Sequence, residues 1–195
     1  MATKKIAIIG DGNVGGALAR GLKRAGYDVR AVGNDKAAIR EAASWGEVVV
    51  LAVPFTAIDD VIKDVAGGFD GKTLVDATNA LDATMSLAVG FSTSGAEELQ
   101  KKVPHARVVK AFNTQFAQHM DSGRLGDQSL TVFVAADDAG AKREVTELAT
   151  AIGFEVVDAG PLANARLLEP VGYLNIQLGY VLGLGSQIGL KLVRG

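Results

Sequence analysis

An apolar run, Ile6-Ala7-Ile8-Ile9, leads directly into Gly10-Asp11-Gly12-Asn13-Val14-Gly15, which has the spacing G-x-G-x-x-G. Val14, Leu18, Leu22 and Ala25 follow at steps of 4, 4 and 3, so they share one helical face. Gly26 stands where a helix end favours a left-handed residue. The extended run from Asp28 to Gly33 completes a strand, a glycine turn, a helix and a second strand. Each glycine has a separate job in such a unit. Gly10 permits the tight turn, Gly12 leaves the backbone bare for a pyrophosphate, and Gly15 lets the helix pack on the strand. The helix then aims its free N–H groups and the positive end of its dipole at the phosphates. With 24 glycines in 195 residues the spacing alone carries little weight. The preceding strand and following helix separate a nucleotide site from a glycine-rich turn that binds nothing.

Composition excludes several classes of function. The length suits one α/β domain spanning 1–195, with 161–195 as a helical C-terminal extension. A net charge of −2 offers no electrostatic case for nucleic acid or an anionic membrane. The absence of cysteine rules out disulfides and thiolate chemistry. His105 and His119 are isolated and form no metal-ligand pair. The chain enters a strand almost at once, so no signal peptide is expected and the cytoplasm is the default compartment. Val171 to Leu190 runs for twenty residues without a formal charge, long enough to span a bilayer. It also holds Asn175, Gln177, Ser186, Gln187 and five glycines, which favour a buried soluble helix at a subunit interface.

Along the chain, helices are expected over 36–43, 56–66, 95–102 and 139–152. Strands are expected over 47–53, 72–76, 107–112, 130–135 and 154–157, with a helical run from Pro161 to Val193. Val48 to Val53 is an unbroken apolar run, as in a strand buried on both faces. The segment 81–94 has no readable pattern. Asp137 and Asp138 are placed to cap the helix at 139–152. Strands alternating with helices give a Rossmann-like, doubly wound and mostly parallel sheet with C-terminal helices. Such sheets bind ligands at the carboxyl ends of their strands. Ala77-Thr78-Asn79 and Asn113-Thr114 both fall at such ends.

Together these motifs resemble the F420-dependent NADP oxidoreductases, a family whose fold also occurs in the cytosolic domain of STEAP-type ferric reductases. The resemblance rests on Gly10 to Gly15, Val50-Leu51-Ala52-Val53-Pro54-Phe55, Val75 to Leu81 and Val109 to Thr114. It continues through Asp137-Asp138, Gly153 to Leu162, and Ala165-Arg166 with Leu168-Glu169-Pro170. It implies that Gly12, Asn13, Val14 and Gly15 hold the pyrophosphate of a nicotinamide nucleotide. It implies that Ala52, Val53, Pro54 and Phe55 border the ribose and nicotinamide, and that Thr78, Asn79, Asn113 and Thr114 line the nicotinamide end. F420 or a flavin would stack on the nicotinamide face. The chain departs from the family in having Gly33 and Asn34 where Ser and Arg commonly grip a 2′-phosphate, Asp11 in place of Thr, and Ala80 in place of Pro.

The choice of nucleotide therefore turns on Gly33, Asn34, Asp35 and Lys36. An NAD site usually has an acid at the place of Gly33, and an NADP site needs cations there. Arg30, Lys36 and Arg40 are the candidate cations, and Asn34 can donate a hydrogen bond. Asp11 and Asp35 oppose them, either by repelling the phosphate or by binding the ribose. NADP is the favoured cofactor and NAD the alternative. Hydride transfer between two rings needs positioning rather than acid–base help, so no catalytic acid or base is assigned. Asp76 is read as a ligand or as the residue that fixes its own turn. Phe91, Phe112 and Phe116 wall a ring pocket or pack the core, the core being favoured for Phe112, and His119 is read as a surface residue. Two functions stand: a cytoplasmic NADP-dependent oxidoreductase acting on F420 or a flavin, and a non-catalytic NAD(P) sensor or subunit. A homodimer through 172–190 is expected, with no partnership with nucleic acid or membrane.

Overall fold

The computed structural model describes residues 3–195. Its strands are β1 (Lys5–Ile9), β2 (Asp28–Val32), β3 (Val48–Leu51), β4 (Thr73–Asp76), β5 (Arg107–Lys110), β6 (Arg124–Leu125), β7 (Gln128–Ser129), β8 (Thr131–Ala136) and β9 (Glu155–Asp158). Its helices are α1 (Asn13–Arg24), α2 (Lys36–Trp45), α3 (Ile58–Val65), α4 (Gly95–Lys102), α5 (Ala139–Ile152) and α6 (Ala165–Ile176). Seven strands form one sheet in the order β2-β1-β3-β4-β5-β8-β9, and β6 and β7 make a separate hairpin. β1 to β5 are parallel, β8 joins β5 antiparallel, and β9 runs parallel to β8. The expected Rossmann-like, mostly parallel sheet is the one observed.

Strand alternation places a core on each face. Ile6, Ile8, Val48 and Val50 pack with α1 and α5, while Ala7, Ile9, Val49 and Leu51 pack with α2, α3 and α4. Both neighbouring side chains on β3 are buried, so its sequence shows no polar alternation. α2, α4 and α5 each start on a side-chain cap. Asp35 accepts from Ala38 N, Ser94 from Glu97 N and Asp138 from Ala141 N. Asp137 does not cap α5; its Oδ1 accepts from Leu162 N at 2.9 Å.

The helical run expected from Pro161 to Val193 is much shorter. A short 3-10 turn, α6 and one π turn (Gln177–Val181) account for it, and the rest is irregular. Gly183 and Gly185 adopt φ of 77° and 75°, which a continuing helix cannot accommodate. The tail then folds back onto β8. Thr131 N donates to Leu190 O at 2.9 Å, Leu192 N donates to Thr131 Oγ1 at 2.9 Å, and the Gln115 amide holds both polar groups of Leu190. His119 is buried, not on the surface, with Nε2 3.1 Å from Ser186 O. Phe112 and Phe116 are core residues, and Phe91 is 78% exposed. Among the described residues no helix is long and apolar enough to cross a membrane.

Beneath the sheet's carboxyl edge lies a fully buried charge cluster. Lys110 Nζ is 2.9 Å from Asp76 Oδ2 and 2.9 Å from Glu169 Oε1, and it donates to Thr78 O at 2.7 Å. Glu169 also accepts from the first N–H groups of α4, Gly95 at 2.8 Å and Ala96 at 3.2 Å. Burial works to lower the Lys110 pKa, but the two carboxylates outweigh it and hold the ammonium above its ordinary value. Lys110→Met leaves two carboxylates buried without their cation. It should cost about 3–5 kcal/mol, read as a lower urea midpoint at unchanged slope. A loss below about 1 kcal/mol would show that the cluster does not hold β4, β5 and α6 together.

Candidate functional site

The sheet changes direction between β1 and β3, because the chain goes from β1 outward to β2 and then returns to the other side. A ligand crevice opens at such a switch point. Here it is a cleft of about 720 Å³ lined by Gly10, Asp11 and Gly12 after β1, Gly33 and Asn34 after β2, and Ala52 to Pro54 after β3. Lys36, Ile39, Asp60, Val61 and Asp64 from α2 and α3 close its outer wall. A second cleft of about 250 Å³ is lined by Val14, Ala52 to Thr56, Ala77 to Asn79, Leu81, Asp82 and Met85. The two share Ala52, Val53 and Pro54. They form one trough across the carboxyl ends of β2, β1, β3 and β4.

The glycine loop is built as its spacing requires. Gly10 has φ of 104°, and its N–H donates to Val32 O at 2.8 Å, joining the ends of β1 and β2. A β-carbon on Gly15 would collide with the Gly10 carbonyl, so only glycine lets α1 start this close to β1. A β-carbon on Gly12 would meet nothing within 4 Å. Gly12 is the N-cap of α1 and has no side chain to satisfy the first N–H groups, which are left for a ligand. Asn13 is exposed on the first turn, and Val14 faces the second cleft.

At the other end, Asp76 fixes the turn after β4, with its Oδ1 accepting from Thr78 N at 2.9 Å. Thr78 is buried and lines the second cleft, and its Oγ1 has no hydrogen-bond partner among the described residues. Asn79 and Asn113 pair with each other: Asn79 Nδ2 donates to Asn113 O at 3.1 Å, and Asn113 Nδ2 donates to Asn79 Oδ1 at 3.2 Å. Asn113 Nδ2 also donates to Leu168 O at 2.9 Å, and Gly172 packs against the pair. Thr114 accepts from Asn175 Nδ2 at 3.2 Å. Thr78 and Asn79 therefore face the trough, while Asn113 and Thr114 lie behind it and brace it against α6. Asp82 is the only titratable group lining the second cleft among the described residues. The Thr84 hydroxyl and the Ser86 and Thr84 N–H groups hold its carboxyl below the ordinary range.

The residues proposed for nucleotide choice are dispersed. Asp35 uses its carboxylate on α2, at 2.7 Å from Ala38 N. Lys36 reaches Asp64 at 3.1 Å, and Arg40 Nε donates to Asp64 O at 3.0 Å. Arg30 lies over the Trp45 ring at 4.2 Å. Asp60, Asp64, Thr56 and Met85 line the trough and carried no motif in the sequence. Lys110 did carry a signal, since a lysine inside the apolar run Val108-Val109-Lys110-Ala111 must find buried partners.

Comparison with known proteins agrees with this architecture. The family model for the coenzyme F420-dependent NADP oxidoreductases matches residues 5–44 and 33–80. The F420-dependent NADP reductase of Methanocaldococcus jannaschii is 30% identical over 164 residues, covering 80% of this chain and 71% of that protein. The chain belongs to the F420-dependent NADP reductase family. A crystal structure assigned as an F420-dependent NADP-reductase from Arthrobacter sp. FB24 superimposes with a TM-score of 0.88 at 29% identity, covering 97% of this chain and 99% of that one. Metalloreductase STEAP3 of Rattus norvegicus is 33% identical over 181 residues, but the chain spans only 36% of its length. The two matched segments of the family model contain the glycine loop, Gly33, Ala52 to Phe55 and Thr78 to Asn79.

Within this family member, Gly12→Ala should lower dinucleotide affinity at least about tenfold, roughly 1.4 kcal/mol, because its methyl group projects into the space the pyrophosphate needs. The thermal midpoint should stay near that of the parent, since that space is open. Isothermal titration checks the affinity, and an unchanged Kd places the phosphates elsewhere.

Proposed function

We propose that the protein transfers hydride between a nicotinamide dinucleotide, NAD(P)(H), and a flavin-like or deazaflavin (F420-like) ring. The observation that carries this reading is the pair of adjoining clefts that share Ala52, Val53 and Pro54, open beside Gly12 at one end and lined by Thr78 and Asn79 at the other. A nicotinamide nucleotide supplies the hydride-carrying ring when bound. The chain's own residues do the rest. The Gly10–Gly15 loop and the start of α1 hold the pyrophosphate. Val53, Pro54 and Phe55 wall the nicotinamide end and restrict water. Thr78 and Asn79 border the place the carboxamide would take, and the Asn79–Asn113 pair keeps that wall fixed against α6. No side chain needs to exchange a proton, which fits a cleft whose one titratable group is already committed.

The test is a scan of NADPH oxidation against F420, FMN, FAD and ferric chelates. Turnover with a deazaflavin or flavin supports the reading. Nucleotide binding without turnover on any acceptor would instead support a non-catalytic sensor or subunit.

We further propose that a second copy covers the C-terminal segment. Leu174, Tyr180, Val181, Leu182 and Leu184 are all more than half exposed, in a stretch with no formal charge from 171 to 190. Apolar surface on that scale on a soluble chain marks an interface. Light scattering at micromolar concentration should return twice the chain mass, and Leu182→Glu should return it to one. A single-chain mass for the unmodified protein rejects the dimer.

A further inference from the structure

β2 ends at Val32, and Gly33 follows with no side chain to offer a ligand. The gap is filled from the neighbouring loop. A β-carbon built on Gly33 would lie 3.1 Å from both carboxylate oxygens of Asp11. The Asp11 carboxylate thus stands where the first atoms of a side chain at the end of β2 would stand. In dinucleotide folds that place faces the adenosine ribose, where an acid accepts from the 2′-hydroxyl and an arginine accommodates a 2′-phosphate. Asp11 is exposed and lines the first cleft beside Gly33 and Asn34, so a ribose there meets it directly.

The other charged candidates already have partners. Asp35 caps α2, which leaves Asp11 as the acid beside Gly33. Lys36 and Arg40 both serve Asp64, and Arg30 stacks on Trp45 and faces Glu41 at 3.3 Å. Among the described residues lining the cleft, three are carboxylates (Asp11, Asp60 and Asp64) and one is an amine (Lys36). A dianionic 2′-phosphate entering this end meets three carboxylates and one lysine, which is itself paired to Asp64. A ribose carrying both hydroxyls meets an acceptor of the right kind.

We propose that Asp11 is the residue that sets dinucleotide selectivity, accepting hydrogen bonds from the adenosine ribose of NAD(H) and disfavouring the 2′-phosphate of NADP(H). The chain then binds NAD(H) at least as well as NADP(H), unlike the nucleotide preference in its family's name. This rests on the reading that the first cleft holds the adenosine half of a nicotinamide dinucleotide. Asp11→Asn keeps the side-chain volume and removes the charge, and Asp11 bears no load in the core.

The experiment titrates the full chain and Asp11→Asn with NADH and NADPH, and repeats the pair with 5′-AMP and 2′,5′-ADP, which carry only the adenosine end. In the unmodified protein, NADH should bind as tightly as NADPH or tighter. Asp11→Asn should shift the ratio at least about tenfold toward NADPH, and the AMP pair should shift in the same direction. NADPH binding more than about tenfold tighter than NADH to the unmodified protein overturns the proposal. So does an equal change for both nucleotides in Asp11→Asn, which would reduce Asp11 to a loop-shaping role while leaving the dinucleotide reading intact. Binding of none of the four ligands overturns the dinucleotide reading, and the proposal with it.

Discussion

Lys110 joins three separate segments of this structure. Its ammonium ties the end of β4 through Asp76, the turn after β4 through Thr78 O, and α6 through Glu169. Glu169 in turn caps α4 by accepting from Gly95 and Ala96. All three charged groups are completely removed from solvent. Such a cluster adds little net stability, because desolvation offsets most of the attraction, but it tolerates no missing member. Its consequence is geometric. Strand end, turn and C-terminal helix hold one relative position, and the end of the trough beside Thr78 and Asn79 is shaped by that position.

The glycine loop imposes the complementary constraint at the other end. Close approach of Gly15 to the Gly10 carbonyl seats α1 against β1, and that seating points the helix's first N–H groups into the cleft. Ala52 to Pro54 then belong to both clefts, so an extended ligand bound at the loop is guided toward Thr78 and Asn79. Binding at one end and orientation at the other suit hydride transfer, in which alignment of two rings supplies most of the catalysis.

Family membership and local chemistry divide the question of specificity. The shared fold and glycine loop belong to the F420-dependent NADP reductase family. The ribose end does not have to follow, because one carboxylate beside Gly33 alters the charge that a 2′-phosphate meets. Fold and discriminating residue are physically separable: under the proposed reading the loop would meet the part common to both nucleotides, and Asp11 the group present in only one.

The strands, the order of helices and the glycine loop were legible in the sequence because they depend on local pattern. Ile6 to Ile9, Val48 to Leu51 and the Val14–Leu18–Leu22 stripe each carry the periodicity of their own element. The C-terminal segment misled because uninterrupted apolarity reads as helix. Its path is decided by left-handed glycines and by long-range bonds from Leu190 and Leu192 to Gln115 and Thr131. His119 read as a surface residue for the same reason, since its cover, Ser186, lies 67 positions away. The Asn79–Asn113 pair, the Lys110 cluster and the capture of Lys36 and Arg40 by Asp64 are likewise contacts between segments far apart in the chain. Sequence alone determined the strands of the seven-stranded sheet, most of the helices that cover it and which residues reach the strand ends. Only the tertiary structure decided which of those side chains face the ligand, because each polar group takes the partner that folding brings within hydrogen-bonding distance, and that partner has no fixed spacing along the chain.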